Sequence, residues 1–133
     1  MSTHSPLLAL VALAASACGT AQTTRTVGAV TVTTLTRHYN NSHLVTVSGH
    51  TLLVDSGKAE DVADLTNDIR EAGVDPKALR AVVVTHGHAD HAGGARYLHE
   101  QFGVPVIAGR GDEPMLAAGR NERLCATGWI ARQ

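Results

Sequence analysis

Alternation along the first half of the chain points to β-structure. The stretch Val27 to Thr36 is dense in Val and Thr, bounded by Gly and Asn, and predicts a strand. Two further β-prone segments, His43 to Val47 and Thr51 to Asp55, flank Ser48-Gly49-His50, a sequence suited to a tight antiparallel reversal. The period then changes. Between Glu60 and Ala72 the apolar residues Val62, Leu65, Ile69 and Ala72 recur at helical spacing among charges, and Gly73 supplies a stop. Asp75-Pro76 predicts an N-cap with proline at the first helical position, a short turn through Leu79, and then the buried strand Ala81 to Val84. Ala92, Ala95, Leu98 and Phe102 form the apolar face of a second helix ending at Gly103, with Gly93 and Gly94 letting it start close to neighbouring chain. Val104 to Ala108 returns to strand pattern, Gly111 to Gly119 reads as a loop with a helix around Met115, and Trp129 and Ile130 begin another element. The order strand, helix, strand, helix, strand implies a layered α/β sheet.

The amino-terminal residues follow a different logic. Leu7 to Ala15 is an almost purely Leu/Val/Ala run, too short to span a bilayer, and it ends in Ala15-Ser16-Ala17-Cys18. Residues 1–18 therefore read as an export signal whose Cys18 is a lipidation site, placing the protein in the periplasm or cell envelope and on a membrane only through that anchor. Residues 19–26, with the Thr-rich run Ala21 to Thr26, read as a linker. With Cys18 lipidated, Cys125 has no intramolecular partner. The 133 residues carry a formal net charge of −1 with no basic stripe, which argues against nucleic-acid binding and otherwise says little about partners. Oligomeric state is not legible.

Chemistry is concentrated in Thr85-His86-Gly87-His88-Ala89-Asp90-His91, directly after the buried run Ala81-Val82-Val83-Val84. Imidazole and carboxylate donors suit zinc and similar divalent ions, and this turn holds more of them than one tetrahedral ion needs. His86 and His88 lie two apart and can share one ion. Asp90 and His91 can aim at a second, and Asp90 is placed to orient hydroxide as well as to ligate. Two ions about 3.5–4 Å apart clamp a substrate oxygen and bring the pKa of water to about 7. The alternative is a solvated histidine-rich turn.

His86-x-His88-x-Asp90-His91 resembles the signature of the metallo-β-lactamase superfamily, in its glyoxalase II-like form. Leu52-Leu53-Val54-Asp55-Ser56-Gly57 is similar to the family's earlier strand ending in Asp and Gly, and Val104-Pro105-Val106 to the strand after the motif helix. The resemblance covers Val27 to Ala108. It implies a four-layer αββα sandwich of two similar halves with the metal site between the sheets, so that residues 27–133 form the N-terminal part of a truncated domain. It also implies that His86 and His88 bind the first metal, Asp90 and His91 the second, and that Asp55 holds the motif loop. The activity implied is a zinc-dependent hydrolase acting on an ester, thioester, amide or lactam of a small-molecule substrate, with two zinc ions in the complete domain and iron or manganese as alternatives.

Family members add a third His, a bridging Asp and a last His from later loops. After His91 the only histidine is His99, in the predicted helix and expected to face solvent away from the site; Asp112, Glu113 and Cys125 are unassigned. Two αβ halves need roughly 200 residues, more than the chain has. Two other readings follow: a non-catalytic metal-binding envelope lipoprotein or scaffold, and a mononuclear-iron persulfide or redox enzyme of the same fold. His38, His43 and His50 read as surface or hydrogen-bonded residues near the hairpin, and Arg110-Gly111-Asp112 as a chance tripeptide.

Overall fold

The computed structural model describes residues 20–121. The proposed export signal, Cys18, Cys125, Trp129 and Ile130 lie outside them. Six strands form one sheet in sequence order: β1 (Thr20–Val27), β2 (Val30–Arg37), β3 (Asn40–Val47), β4 (His50–Val54), β5 (Leu79–Val84) and β6 (Val106–Ala108). The first four are an antiparallel meander, whereas β4, β5 and β6 run parallel. The parallel half needs crossovers. Helix α1 (Val62–Glu71) connects β4 to β5, and α2 (Ala89–Ala92) with α3 (Ala95–Phe102) connects β5 to β6. A short α4 (Glu113–Ala118) follows.

The helices and one sheet face enclose the core. Leu44 and Leu53 are cross-strand partners, Leu53 pairs with Val82, and these rows meet Leu65 and Ile69 of α1 and Leu98 of α3. Leu53, Ile69, Val82 and Leu98 are fully buried, each worth roughly 1.5–3 kcal/mol of transfer from water. Arg37 fastens the outer strands to α1 by reaching Asp64 (3.1 Å) and Asp68 (2.7 Å). The opposite sheet face carries Val32, Val45 and Leu52 in one cross-strand row and Val54, Val83 and Ile107 in another. No described element covers it, and Val47 and Ile107 are 40% and 55% exposed.

Two expectations need correction. Ala21–Thr26 is the interior of β1 rather than a linker, and the expected single strand from Val27 is broken at Gly28-Ala29, where the chain reverses into β2. The Thr residues that made this segment look solvated are β-branched and pair across strands. Thr24 and Thr26 hydroxyls meet those of Thr33 and Thr31 at 3.0 Å. The reversal after β3 is tighter than expected. Ser48 and Gly49 both have positive φ (49° and 78°), the signature of a two-residue primed turn, and His50 already pairs with Val47. The α1 helix, the Asp75-capped turn at Pro76 and the stop at Gly73 (φ 82°) lie where expected. Strand β6 starts two residues late because Pro105 has no N–H to donate, although its carbonyl accepts from Val82 at 2.8 Å.

Candidate metal centre

Strands β4 and β5 end side by side, and their ends build the site. Asp55, the residue after β4, has φ 58° and is only 6% exposed. Asp is one of the few non-glycine residues that adopt this left-handed conformation readily. Its backbone N–H donates to Val83 (2.9 Å), leaving the carboxylate to grip the loop after β5. Oδ1 accepts from the Thr85 N–H at 2.8 Å, both oxygens lie within 3.0 Å of the Thr85 hydroxyl, and Oδ2 is 2.8 Å from His91 Nδ1.

These contacts fix the protons. An ionised carboxylate only accepts, so His91 carries its proton on Nδ1 and presents the Nε2 lone pair outward. The Thr85 hydroxyl spends its single hydrogen on Asp55 and therefore accepts from His86 Nδ1 at 3.2 Å, which leaves His86 Nε2 as the donor atom for a metal. Ser56 holds the other end of His91: its N–H and hydroxyl both donate to the His91 carbonyl, at 2.7 and 3.1 Å.

His86, Asp90 and His91 come together with one ligand atom of each within 4.8 Å of the others. Donors about 2.1 Å from a shared ion stand at most about 4.2 Å apart, so small side-chain rotations close the set. The half-exposed Asp90 Oδ2 lies 3.6 Å from His91 Nε2. His88, expected to pair with His86, is not in this triple. It precedes α2 in extended backbone (φ −66°, ψ 146°), and its ring meets the His86 ring edge-on at 4.8 Å, while the His86 and His91 rings are 4.0 Å apart. The donor set, two imidazoles with free Nε2 positions and one carboxylate, fits a zinc-like divalent ion, and His88 stands beside it as a further donor.

Three features escaped the sequence reading. Ser56 was absorbed into the turn chemistry of Asp55-Ser56-Gly57. Asp112 Oδ1 accepts from the Gly87 N–H at 3.0 Å, and Asn121 Oδ1 from the Ala89 N–H at 2.7 Å. Gly93 and Gly94, by contrast, are small for the reason expected from the sequence, close approach: a Cβ on Gly94 would stand 2.6 Å from the Ser56 carbonyl oxygen, and one on Gly93 2.5 Å from the Ala59 nitrogen. The remaining histidines stay outside the cluster. His43 meets the Thr34 hydroxyl (3.0 Å), His38 lies 3.9 Å from Asp61, and exposed His99 meets the Val104 carbonyl (3.0 Å).

Asp90 opens onto a broad groove bordered by Tyr39, Lys58, Arg96, His99 and Met115. His99, expected to face away from the site, borders this groove without reaching the donor cluster. At the rim the Lys58 ammonium lies 4.8 Å from the Tyr39 ring centre, and its pKa is raised, first by Tyr39 and then by the charges of Glu60 and Asp61. The Arg96 pKa is also raised, by its hydrogen bond to Glu100.

The family model of the metallo-beta-lactamase superfamily matches residues 35–123, which include the whole of this cluster. The chain belongs to the metallo-β-lactamase superfamily. The mixed six-stranded sheet with helices on one face is correspondingly part of that family's α/β fold. A metallo-β-lactamase of Cronobacter sakazakii with an HARLDQ motif superposes with a TM-score of 0.63 at 26% identity, over 68% of this chain and 35% of its own. An anti-Pycsar protein, Apyc1, of Saccharibacillus brassicae is 34% identical over 80 residues, 60% of this chain and 29% of its own length. Ribonuclease J of Synechocystis is 36% identical over 64 residues, 44% of this chain and 10% of its own length. The chain thus spans less than a third of these curated relatives and about a third of the solved structure.

Proposed function

We propose that this chain carries the metal-binding half of a divalent-metal hydrolase that uses zinc, as a pair of ions in the complete domain, to cleave an ester, thioester, amide or lactam of a small molecule. The observation that carries the reading is the convergence of His86, Asp90 and His91, with both imidazoles oriented through Asp55 and Thr85. Held by these residues, a divalent ion would lower the pKa of water toward neutrality and act as a Lewis acid toward the bond under attack. His86 and His91 would hold it through Nε2 and Asp90 through a carboxylate oxygen, with His88 a further donor beside His86. Asp90 also faces the groove, where its second oxygen orients water and accepts a proton. Asp55 keeps the His91 ring from turning, so the donor geometry survives substrate exchange.

Metal analysis of purified protein, followed by assay against thioester, lactam and phosphodiester substrates, tests this. Zinc bound through the motif, lost in His86→Ala and His91→Ala, together with turnover on a carbonyl substrate by a protein that includes the rest of the domain, is the expected result. Iron in place of zinc would overturn the metal assignment. Turnover confined to phosphodiesters would move the substrate class toward that of relatives such as ribonuclease J. The uncovered sheet face supports one second reading, a metal-binding envelope protein without catalysis that associates with a partner through that face. Metal binding with no turnover in any such protein would select it. Export and lipid attachment at Cys18 belong to the proposal as well. Cys18→Ser should abolish incorporation of labelled fatty acid, and a cytoplasmic wild-type chain would remove this part.

A further inference from the structure

We infer that Asp112 is a positioning residue of the metal-ligand loop, acting through the Gly87 N–H from the turn that opens α4, with Asn121 in the same role at Ala89. The inference rests on the metal-site reading and adds to it the element that holds the loop from outside.

Between β5 and α2 the loop has no strand partner, so its backbone amides must be satisfied elsewhere. They are satisfied in alternation. The N–H of Thr85 goes to Asp55, that of Gly87 to Asp112 and that of Ala89 to Asn121, all to side-chain oxygens at 2.7–3.0 Å. The residues between them, His86 and His88, bear donor side chains, and Asp90 follows the last clamped amide as α2 begins. His86 and His88 therefore spring from backbone units held on both sides, which limits how far their donor atoms wander without metal. Gly87 shows how closely the α4 segment seats: a Cβ there would lie 3.1 Å from Asp112 Cβ and 3.2 Å from Met115 Cβ. Asp112 is itself constrained, since its own N–H donates to the Gly109 carbonyl at 3.0 Å. A carboxylate accepting an amide proton makes a stronger bond than a neutral acceptor does.

The test uses cobalt(II) titration of the full chain, followed by visible absorption, beside hydrogen exchange at the Gly87 and Ala89 amides. Asp112→Leu, which keeps bulk and removes the acceptor, should weaken cobalt binding roughly 10- to 100-fold, the range seen when groups that orient metal ligands are removed. Its metal-free form should remain folded by circular dichroism, and Gly87 exchange should accelerate. Asp112→Asn, which retains an acceptor oxygen, should recover most of the affinity. A merely structural Asp112 would lower metal-free stability without this selective loss and rescue. Wild-type affinity in Asp112→Leu overturns the inference, and so does unprotected Gly87 exchange in the wild-type chain; the latter measurement decides if Asp112→Leu does not fold. A wild-type chain that binds no cobalt while Gly87 and Ala89 stay protected would sink the metal reading and leave the loop clamp standing.

Discussion

One carboxylate does most of the organising at the centre. Asp55 is buried, holds a left-handed backbone and receives Thr85 and His91 at once, so replacing it removes the partner of the half-buried His91 ring and of the more exposed Thr85. A typical lost hydrogen bond costs about 0.5–1.5 kcal/mol. Asp55→Ala should therefore destabilise the metal-free chain by about 1–3 kcal/mol and weaken metal binding roughly 10- to 100-fold. Asp55→Gly separates the two effects, since glycine accepts φ 58° without strain. It should be about 1 kcal/mol more stable than Asp55→Ala in urea unfolding and bind metal equally poorly. Equal stability of the two variants would show that the left-handed backbone is not strained. The donor residues were legible in the sequence because they sit within six positions of one another. The groups that orient them were harder to read, because their hydrogen bonds span the fold: Asp55 to His91 is 36 residues, Asn121 to Ala89 is 32 and Asp112 to Gly87 is 25. Only Asp55 was anticipated, through the family resemblance of Leu52 to Gly57. Nothing local distinguishes Asp112 in Arg-Gly-Asp from a solvated turn.

At the scale of elements, the site depends on how closely α2 and α3 approach the loop after β4. Gly94 packs its α-carbon against the Ser56 carbonyl and a Val62 methyl, where an added Cβ would stand 2.6 and 2.8 Å away. Ser56 is also the residue that holds the His91 carbonyl, so displacing this contact displaces one of the proposed donors. Gly94→Ala should destabilise the chain by about 1–3 kcal/mol through overpacking and should lower cobalt affinity beyond what the stability change explains. Gly111→Ala, where a Cβ meets nothing within 4 Å, is the control and should bind cobalt as wild type does. The helices themselves were readable, since Val62, Leu65 and Ile69 keep helical period and all three are buried. β1 was not. Its Thr residues are exposed along the strand and carry no apolar stripe, so the evidence that they belong to a sheet lies in their β2 partners rather than in their own pattern. The nearness of His86 to Asp90 and His91 is not evident from two-apart spacing. The turn into α2 at Ala89 brings Asp90 and His91 back toward His86, whose ring also stays 4.8 Å from that of His88.

For the whole molecule, the sheet is the deciding surface. One face is sealed by α1 and α3, while the other presents Val45, Val47, Leu52 and Ile107 with no described element over them. A contiguous apolar face of this kind drives association. The candidate metal donors among the described residues, meanwhile, all come from one stretch, His86 to His91, so nothing described would close the coordination from the far side. Both facts point to the same behaviour in solution. The chain by itself should bind zinc weakly, at micromolar rather than nanomolar affinity, turn over substrate poorly, and self-associate as its concentration rises. Chelation should then change its metal content with little effect on its unfolding midpoint, because a weak ligand adds little stability at ordinary concentrations. Val47→Lys combined with Leu52→Lys should shift sedimentation toward monomer and reduce binding of a hydrophobic dye, with stability changed by about 0.5 kcal/mol or less, since both residues point away from the core. A wild-type chain that is monomeric at all concentrations, or one that holds two zinc ions with nanomolar affinity and ordinary turnover, would contradict this picture, because each requires that open face and open coordination shell to be closed by something within these 133 residues.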